Sequence, residues 1–332
     1  MKGSLERPVY SVYAIDQEGH KFNVKNAILA LSYSHGEKDL AVKVNLTLMN
    51  AKIEDMNKKL NDALSLKDDI YIYADIGDGA KEVFRGIIWT KEYDEYETKE
   101  ISIVAYDHLI YLQNSKDSFY FSAGKSTKDV LSSICKKWGV SLNYKYDSIS
   151  HPKLLLRSQN ISDSIIEVLD AVKKQTGKKY VIYSSKNVLY VDFVAQNKIV
   201  YTIKKKENAG GVKAHETMDG MVTKVVITGS ADDDGKEPVL ATVSGNTSGY
   251  GTLQDEISKD KDTTLSEAKK EANEVLKEKG KPFKDKTVEG IDNPMVKKGD
   301  EVKIDAGPLN AKYKVLSIEH DAFNRSMIVE VE

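Results

Sequence analysis

The sequence is nearly devoid of cysteine, with Cys135 the single one in 332 residues. No intramolecular disulfide can form, which removes the small disulfide-stapled secreted architectures. Cys135 falls on the apolar side of a helical pattern, so an inert buried thiol is expected and not a nucleophile. Long apolar runs are missing too. No window approaches the roughly 18 uninterrupted apolar residues of a membrane helix, and Met1 to Pro8 hold no apolar signal core. A chain made and folded in the cytosol, without a membrane-spanning segment, is expected. A dominant charge is also absent, with 49 basic against 51 acidic residues. Whole-chain electrostatics therefore give no reason to expect nucleic-acid recognition or attachment to an anionic membrane. The basic run Lys204-Lys205-Lys206 reads as a solvated strand end.

Catalytic signatures are equally sparse. Gly124-Lys125-Ser126 resembles the end of a phosphate-binding loop, but the first glycine of that loop would stand at Phe119. Helix entry is the better reading. The histidines, His20, His35, His108, His151, His215 and His320, never stand at the three- or four-residue spacing that aims two imidazoles at one metal. Asp232-Asp233-Asp234-Gly235 lacks the alternate ligands and later glutamate of a calcium loop and reads as a solvated hairpin tip. No G-x-S-x-G elbow occurs. No carboxylate pair stands in a context that would raise one pKa against the other. The expectation is a non-enzymatic protein with no catalytic, cofactor-binding or metal-binding residues.

What the chain has in quantity is strand pattern. Glu301 to Asp305, Ala311 to Glu319 and Ser326 to Glu332 are short segments rich in β-branched residues. Gly307-Pro308-Leu309-Asn310 and Asp321 to Arg325 separate them as turns, so the stretch reads as an up-and-down meander. The same pattern occurs earlier in Ile70 to Ala74, Val83 to Trp89 and Ile101 to Ala105, with a Gly77-Asp78-Gly79 turn. A repeated meander implies two β-modules of one design, each with edges to roll or pair. Tyr71 and Tyr73 project from the face opposite Ile70 and Ile72. Amphipathic rings on an outer face make these two residues candidates for a protein interface.

Length allows about two to three domains. From Pro8 to Asp107 strand follows strand, and Leu40, Val42, Val44, Leu46 and Leu48 should share one covered face. Met49 to Leu64 reads as a helix through Ile53, Met56, Leu60 and Leu64. A small α+β unit follows. Ser126 or Thr127 caps a helix ending at Gly139, a second runs from near Ser162 or Asp163 to Gly177, and a hairpin turns at Ser184 to Asn187. Beyond Ile199 come strands at Val222 to Thr228 and Val239 to Val243, a loop over Gly245 to Lys261, and a helix from Leu265 to Lys279. Thr264 and Glu267 form its capping box, and a second loop, Lys281 to Met295, leads to the final meander. The expected division is 1–114, 115–198 and 199–332, an α+β, β-rich fold with two similar β-modules around a small α+β domain. Each β-module should consist of strands, one inserted helix and three more strands.

Two stretches then carry a resemblance. Ala105-Tyr106-Asp107-His108-Leu109-Ile110-Tyr111-Leu112-Gln113-Asn114-Ser115-Lys116-Asp117 is the first. Gly249 to Gln254, the helix bearing Ala268 and Ala272, and Lys298-Gly299-Asp300-Glu301-Val302 form the second. Both are similar to the baseplate hub proteins of contractile phage tails, as carried by Gram-positive prophages and phage-tail-like bacteriocin particles. The resemblance implies two tail-tube-like β-barrel modules and a homotrimer that joins the tail tube protein to the central spike protein. It further implies adaptation of sixfold to threefold symmetry, contacts with other baseplate proteins, no cofactor, and a virion baseplate location after synthesis in the bacterial cytoplasm. The alternatives are a tail-associated peptidoglycan hydrolase and a host-surface carbohydrate-binding module.

Overall fold

A computed structural model describes residues 7–53, 58–231, 235–259 and 263–332. The chain forms two compact units, one of Met1–Val212 with Thr287–Glu332 and the other of Lys213–Lys286. In the first, β1 (Val9–Ile15), β2 (Lys21–Asn23), β3 (Ile28–His35) and β4 (Lys43–Met49) precede one helical turn, α1 (Leu60–Ala63). The meander β5 (Asp69–Asp75), β6 (Lys81–Tyr93) and β7 (Glu100–Tyr106) follows, each strand antiparallel to the next. Period-two alternation sends Ile70, Ile72 and Ala74 into the core and leaves Tyr71 and Tyr73 half-buried on the other face. Gly86 is required on β6, because a Cβ there would lie 2.1 Å from the Tyr106 carbonyl oxygen.

Two expectations for this stretch change. The covered face of β4 is Val44, Leu46 and Leu48; the strand starts only at Lys43, and Leu40 turns away to join a second core. The helix over Met49 to Leu64 is reduced to α1, with Met56 outside the described residues. There the chain pairs with itself instead. Lys52 bridges Lys59, and Leu60 N–H donates to the Ala51 carbonyl at 2.9 Å. Leu60 and Leu64, the start and C-cap of α1, are both buried, so the expected helix holds only in its last turn.

The middle segment comprises α2 (Ile110–Gln113), β8 (Lys116–Phe121), α3 (Thr127–Lys137), β9 (Ser141–Tyr144), β10 (Leu154–Asn160), α4 (Ile161–Thr176), β11 (Tyr180–Ser185) and β12 (Val188–Phe193). Ser126 caps α3 by accepting from Asp129 N–H, and Gly177 ends α4 in the left-handed region at φ +70°. Asn160 precedes α4, so that helix starts one or two residues earlier than its polar residues suggest. Lys186 and Asn187, both at positive φ, make the tight turn between β11 and β12. Val130, Leu131, Ile134 and Cys135 pack in one core with Ile165, Leu169 and Val172. Burial there pushes the Cys135 thiol up to about 12, which leaves it inert at neutral pH.

Next come β13 (Tyr201–Lys204) and β14 (Ala209–Thr217). In the second unit β15 (Lys224–Thr228) lies between antiparallel β16 (Val239–Ser244) and, beyond the turn α5 (Thr247–Tyr250), parallel β17 (Gln254–Ser258). The helix α6 (Leu265–Lys279) packs Ala268 and Ala272 with Val225 and Ile227, and both halves of its capping box form. β17 replaces part of the expected loop over Gly245 to Lys261. Its Gln-Asp-Glu start conceals an edge strand with no fully buried residue. The expected hairpin tip Asp232 to Asp234 lies outside the described residues. The loop over Lys281 to Met295 likewise contains a strand, β18 (Phe283–Ile291), in which only Val288 and Gly290 are buried. The chain closes with β19 (Glu301–Ala306), β20 (Leu309–Asp321) and β21 (Ser326–Val331), the second antiparallel meander.

The strand order repeats. One array runs β3-β4-β7-β6-β5-β1 and the other β14-β18-β21-β20-β19-β13. Both central meander strands, β6 and β20, have 13 residues and a bulge. The copies differ in two respects. β1 is antiparallel to β5 whereas β13 is parallel to β19, and the helical insertions are not equivalent: α1 follows β4, while α6 lies between β14 and β18. The expected match of one inserted helix per module therefore fails, because Lys213–Lys286 interrupts the hairpin that corresponds to β3 and β4. Among the described residues no pairing closes either array, and β20 pairs with β3 to join both in one 13-stranded sheet.

Candidate functional site: a polar junction between the two strand arrays

Where β20 meets β3, Ile318 stands opposite His35 and His320 opposite Tyr33. The Tyr33 and His320 rings stack at 4.3 Å. His320 Nδ1 lies 2.6 Å from Asp292 Oδ1, and its Nε2 lies 3.2 Å from the Val296 carbonyl. Both ring nitrogens thus have a polar partner. The Tyr10 hydroxyl donates to the other Asp292 oxygen and contacts the Tyr33 hydroxyl at 3.3 Å. Burial, with Tyr33 and the Asp292 carboxylate nearby, drives the Tyr10 phenol far above its ordinary range and keeps it a donor. One buried carboxylate thus ties the first strand to the last meander.

A few residues away Lys298 inserts its ammonium into the turn between β3 and β4. Nζ donates to the carbonyls of Gly36 at 3.1 Å, Glu37 at 3.4 Å and Asp39 at 2.6 Å. Burial pulls this lysine down to about 8. His35 Nε2 contacts the same Asp39 carbonyl at 3.0 Å, and burial together with the Lys298 charge takes the imidazole down to about 3. Asp107 accepts from Val42 N–H at 3.0 Å and Leu109 N–H at 2.9 Å. Burial nevertheless raises its carboxyl to about 7. Asp107 and Lys298, each from one of the two stretches that carry the resemblance, interact electrostatically here. Beside them Gly299, at φ +87°, lies so close to Val181 that a Cβ would meet Val181 Cγ2 at 2.6 Å. The second meander is thereby fitted to the small α+β segment.

Tyr71 and Tyr73, the residues singled out in the sequence, lie on the half-buried face of β5. Tyr73 meets Tyr13 edge to face at 5.9 Å, and the Arg85 guanidinium lies 4.8 Å from the centre of the Tyr71 ring. Among the described residues one group has metal-ligand proximity, Asp16, Glu18 and His20 in the β1–β2 turn. Asp16 already accepts from the Glu18 and His20 backbone N–H groups and contacts His20 Nδ1 at 2.9 Å, which accounts for the cluster as a turn. Sequence spacing could not reveal the junction, since its histidines stand almost at opposite ends of the described chain. The isolated Lys298-Gly299-Asp300 was the available local signal.

The architecture is similar to that of solved phage tail proteins. The prophage MuSo2 43 kDa tail protein from Shewanella oneidensis aligns with a TM-score of 0.67 over 98% of this chain and 98% of its own, at 14% identity. The chain belongs to the YqbQ-like family, whose pattern matches residues 32–332. It is 26% identical over 231 residues to the phage-like element PBSX protein XkdQ of Bacillus subtilis strain 168, covering 68% of each chain. It is 27% identical over 180 residues to the uncharacterized protein YqbQ of the same strain, and that match spans about half of each, 52%. Among the described residues no helix is long and apolar enough to cross a membrane.

Proposed function

We propose that this chain is a structural baseplate hub of a contractile phage tail or phage-tail-like particle, joining the tail tube to the central spike. The observation that carries this reading is the repeated strand order, β3-β4-β7-β6-β5-β1 and β14-β18-β21-β20-β19-β13, within one chain. Three such chains about an axis would present six related arrays, so a threefold ring could seat on a sixfold tube. The first array packs residues from all its strands into one core cluster, which supports a rolled, barrel-like module and not a flat sheet. On this reading residues 1–114 and 199–332 are the two tube-like modules and 115–198 is the spacer between them. Tyr71 and Tyr73 offer the outer aromatic surface for a neighbouring chain. The role is assembly, with the tube, the spike and other baseplate proteins as partners. Medium-resolution imaging of particles carrying an epitope on this chain tests the proposal. Three copies on the baseplate axis are expected; label elsewhere, or none, would end it.

A further inference from the structure

Between β3, β6, the β11–β12 turn and residues 294–298 lies a cavity of about 80 Å³. Its wall carries Arg85, Lys186, Lys297 and Lys298 against Glu82 and Asp107. The carboxylates do not balance the cations locally. Arg85 Nη2 donates to Glu82 at 2.7 Å, and Asp107 is taken up by the Val42 and Leu109 N–H groups. Lys298 has committed its three protons to carbonyls. What remains is Arg85 Nε, buried and without an acceptor. Five buried side-chain atoms lack a partner among the described residues, and Arg85 Nε is the one whose residue lines this cavity. A buried guanidinium N–H left without an acceptor is costly, and the groups that match it are oxyanions. The space exceeds the roughly 10–15 Å³ a single water needs and falls well short of the roughly 300–1,000 Å³ of a small-molecule pocket. One functional group fits.

We propose that this cavity is an oxyanion site, receiving a single carboxylate or phosphate group on the Arg85 Nε–H in the field of Lys186, Lys297 and Lys298. The occupant is either free phosphate or an acidic side chain presented by another protein. The test uses the full chain with sodium phosphate or sodium acetate, sodium chloride holding ionic strength constant, read by thermal unfolding and, for phosphate, by ³¹P line broadening. Saturable binding with a dissociation constant on the order of 1 mM is expected. Phosphate alone would identify the free ion, and an acetate response would identify the acidic side chain. Arg85→Gln should weaken binding about tenfold or more. Should that variant fail to fold, Lys186→Gln with Lys297→Gln, both at the cavity wall, should weaken it severalfold. Responses no larger than chloride's, or unchanged binding in the folded variants, would overturn the assignment.

Discussion

Replacing Gly299 with alanine should cost more than any surface change in the second meander. The residue sits at φ +87°, where an L side chain is strained by about 1–2 kcal/mol. Its new Cβ would lie 2.6 Å from Val181 Cγ2, 2.7 Å from Val181 Cβ and 2.9 Å from Val181 Cγ1, all below contact distance. The turn has little room to retreat. Gly299 N–H donates to the Val315 carbonyl at 2.9 Å, and Gly299 O accepts from Ala195 N–H at 2.7 Å. Overpacking of this kind costs about 1–3 kcal/mol, giving roughly 2–5 kcal/mol in all. For a unit of this size that lowers the melting temperature on the order of 10 °C. Gly124→Ala is the control, because Gly124 has φ +89° with nothing within 4 Å of the added Cβ. It should lose only the strain, about 1–2 kcal/mol. Adding Val181→Ala to Gly299→Ala removes two of the three contacts, and the double mutant should be more stable than additivity predicts. Equal losses for Gly299→Ala and Gly124→Ala in thermal and urea melts would refute the contact argument.

Other expectations follow from the same geometry. Asp107, raised to about 7 in the fold, binds a proton there that the unfolded chain has released, so its contribution is present at acid pH and is lost as pH rises from about 4 to about 7. His35, lowered to about 3, acts in the opposite sense from about pH 3 to 6.5, and the two nearly cancel in the wild type. Asp107→Asn should unmask this, its stability relative to wild type improving between pH 5 and 7 in urea melts; a parallel offset at every pH would contradict it. Thr264→Ala removes the oxygen that accepts Glu267 N–H at 3.2 Å and should cost about 1 kcal/mol, seen as faster amide exchange in α6. Tyr73→Ser should fold with little loss yet enter particles poorly, if β5 presents an interface; wild-type incorporation would dismiss that surface.

The two meanders were legible because alternation and turn residues are both local signals, and α6 because Thr264 and Glu267 announce its start. β17 and β18 were not, since Gln254-Asp255-Glu256 and Lys284-Asp285-Lys286 alternate nothing apolar and gain their place by pairing with distant strands. The helix expected over Met49 to Leu64 shows the converse: only its last turn forms, Leu60–Ala63 with Leu64 as its C-cap, and the spacing before it is not helical. Of the junction, Lys298-Gly299-Asp300 was visible only as a phrase. Nothing near it in sequence names Gly36, Asp39 or Asp107 as its neighbours. Arg85 was visible as part of a strand, and Gly86 beside it was the one hint of close backbone approach.

The pairing of β20 with β3 also has a bearing on synthesis. His320 faces Tyr33, so the edge of β3 waits for its mate until nearly the whole described chain has been translated. At 5–20 residues per second this amounts to roughly 15–60 s on the ribosome. Throughout that interval the nascent chain carries an unsealed β-strand able to capture a like strand from a neighbouring polysome, and premature termination would leave it open permanently.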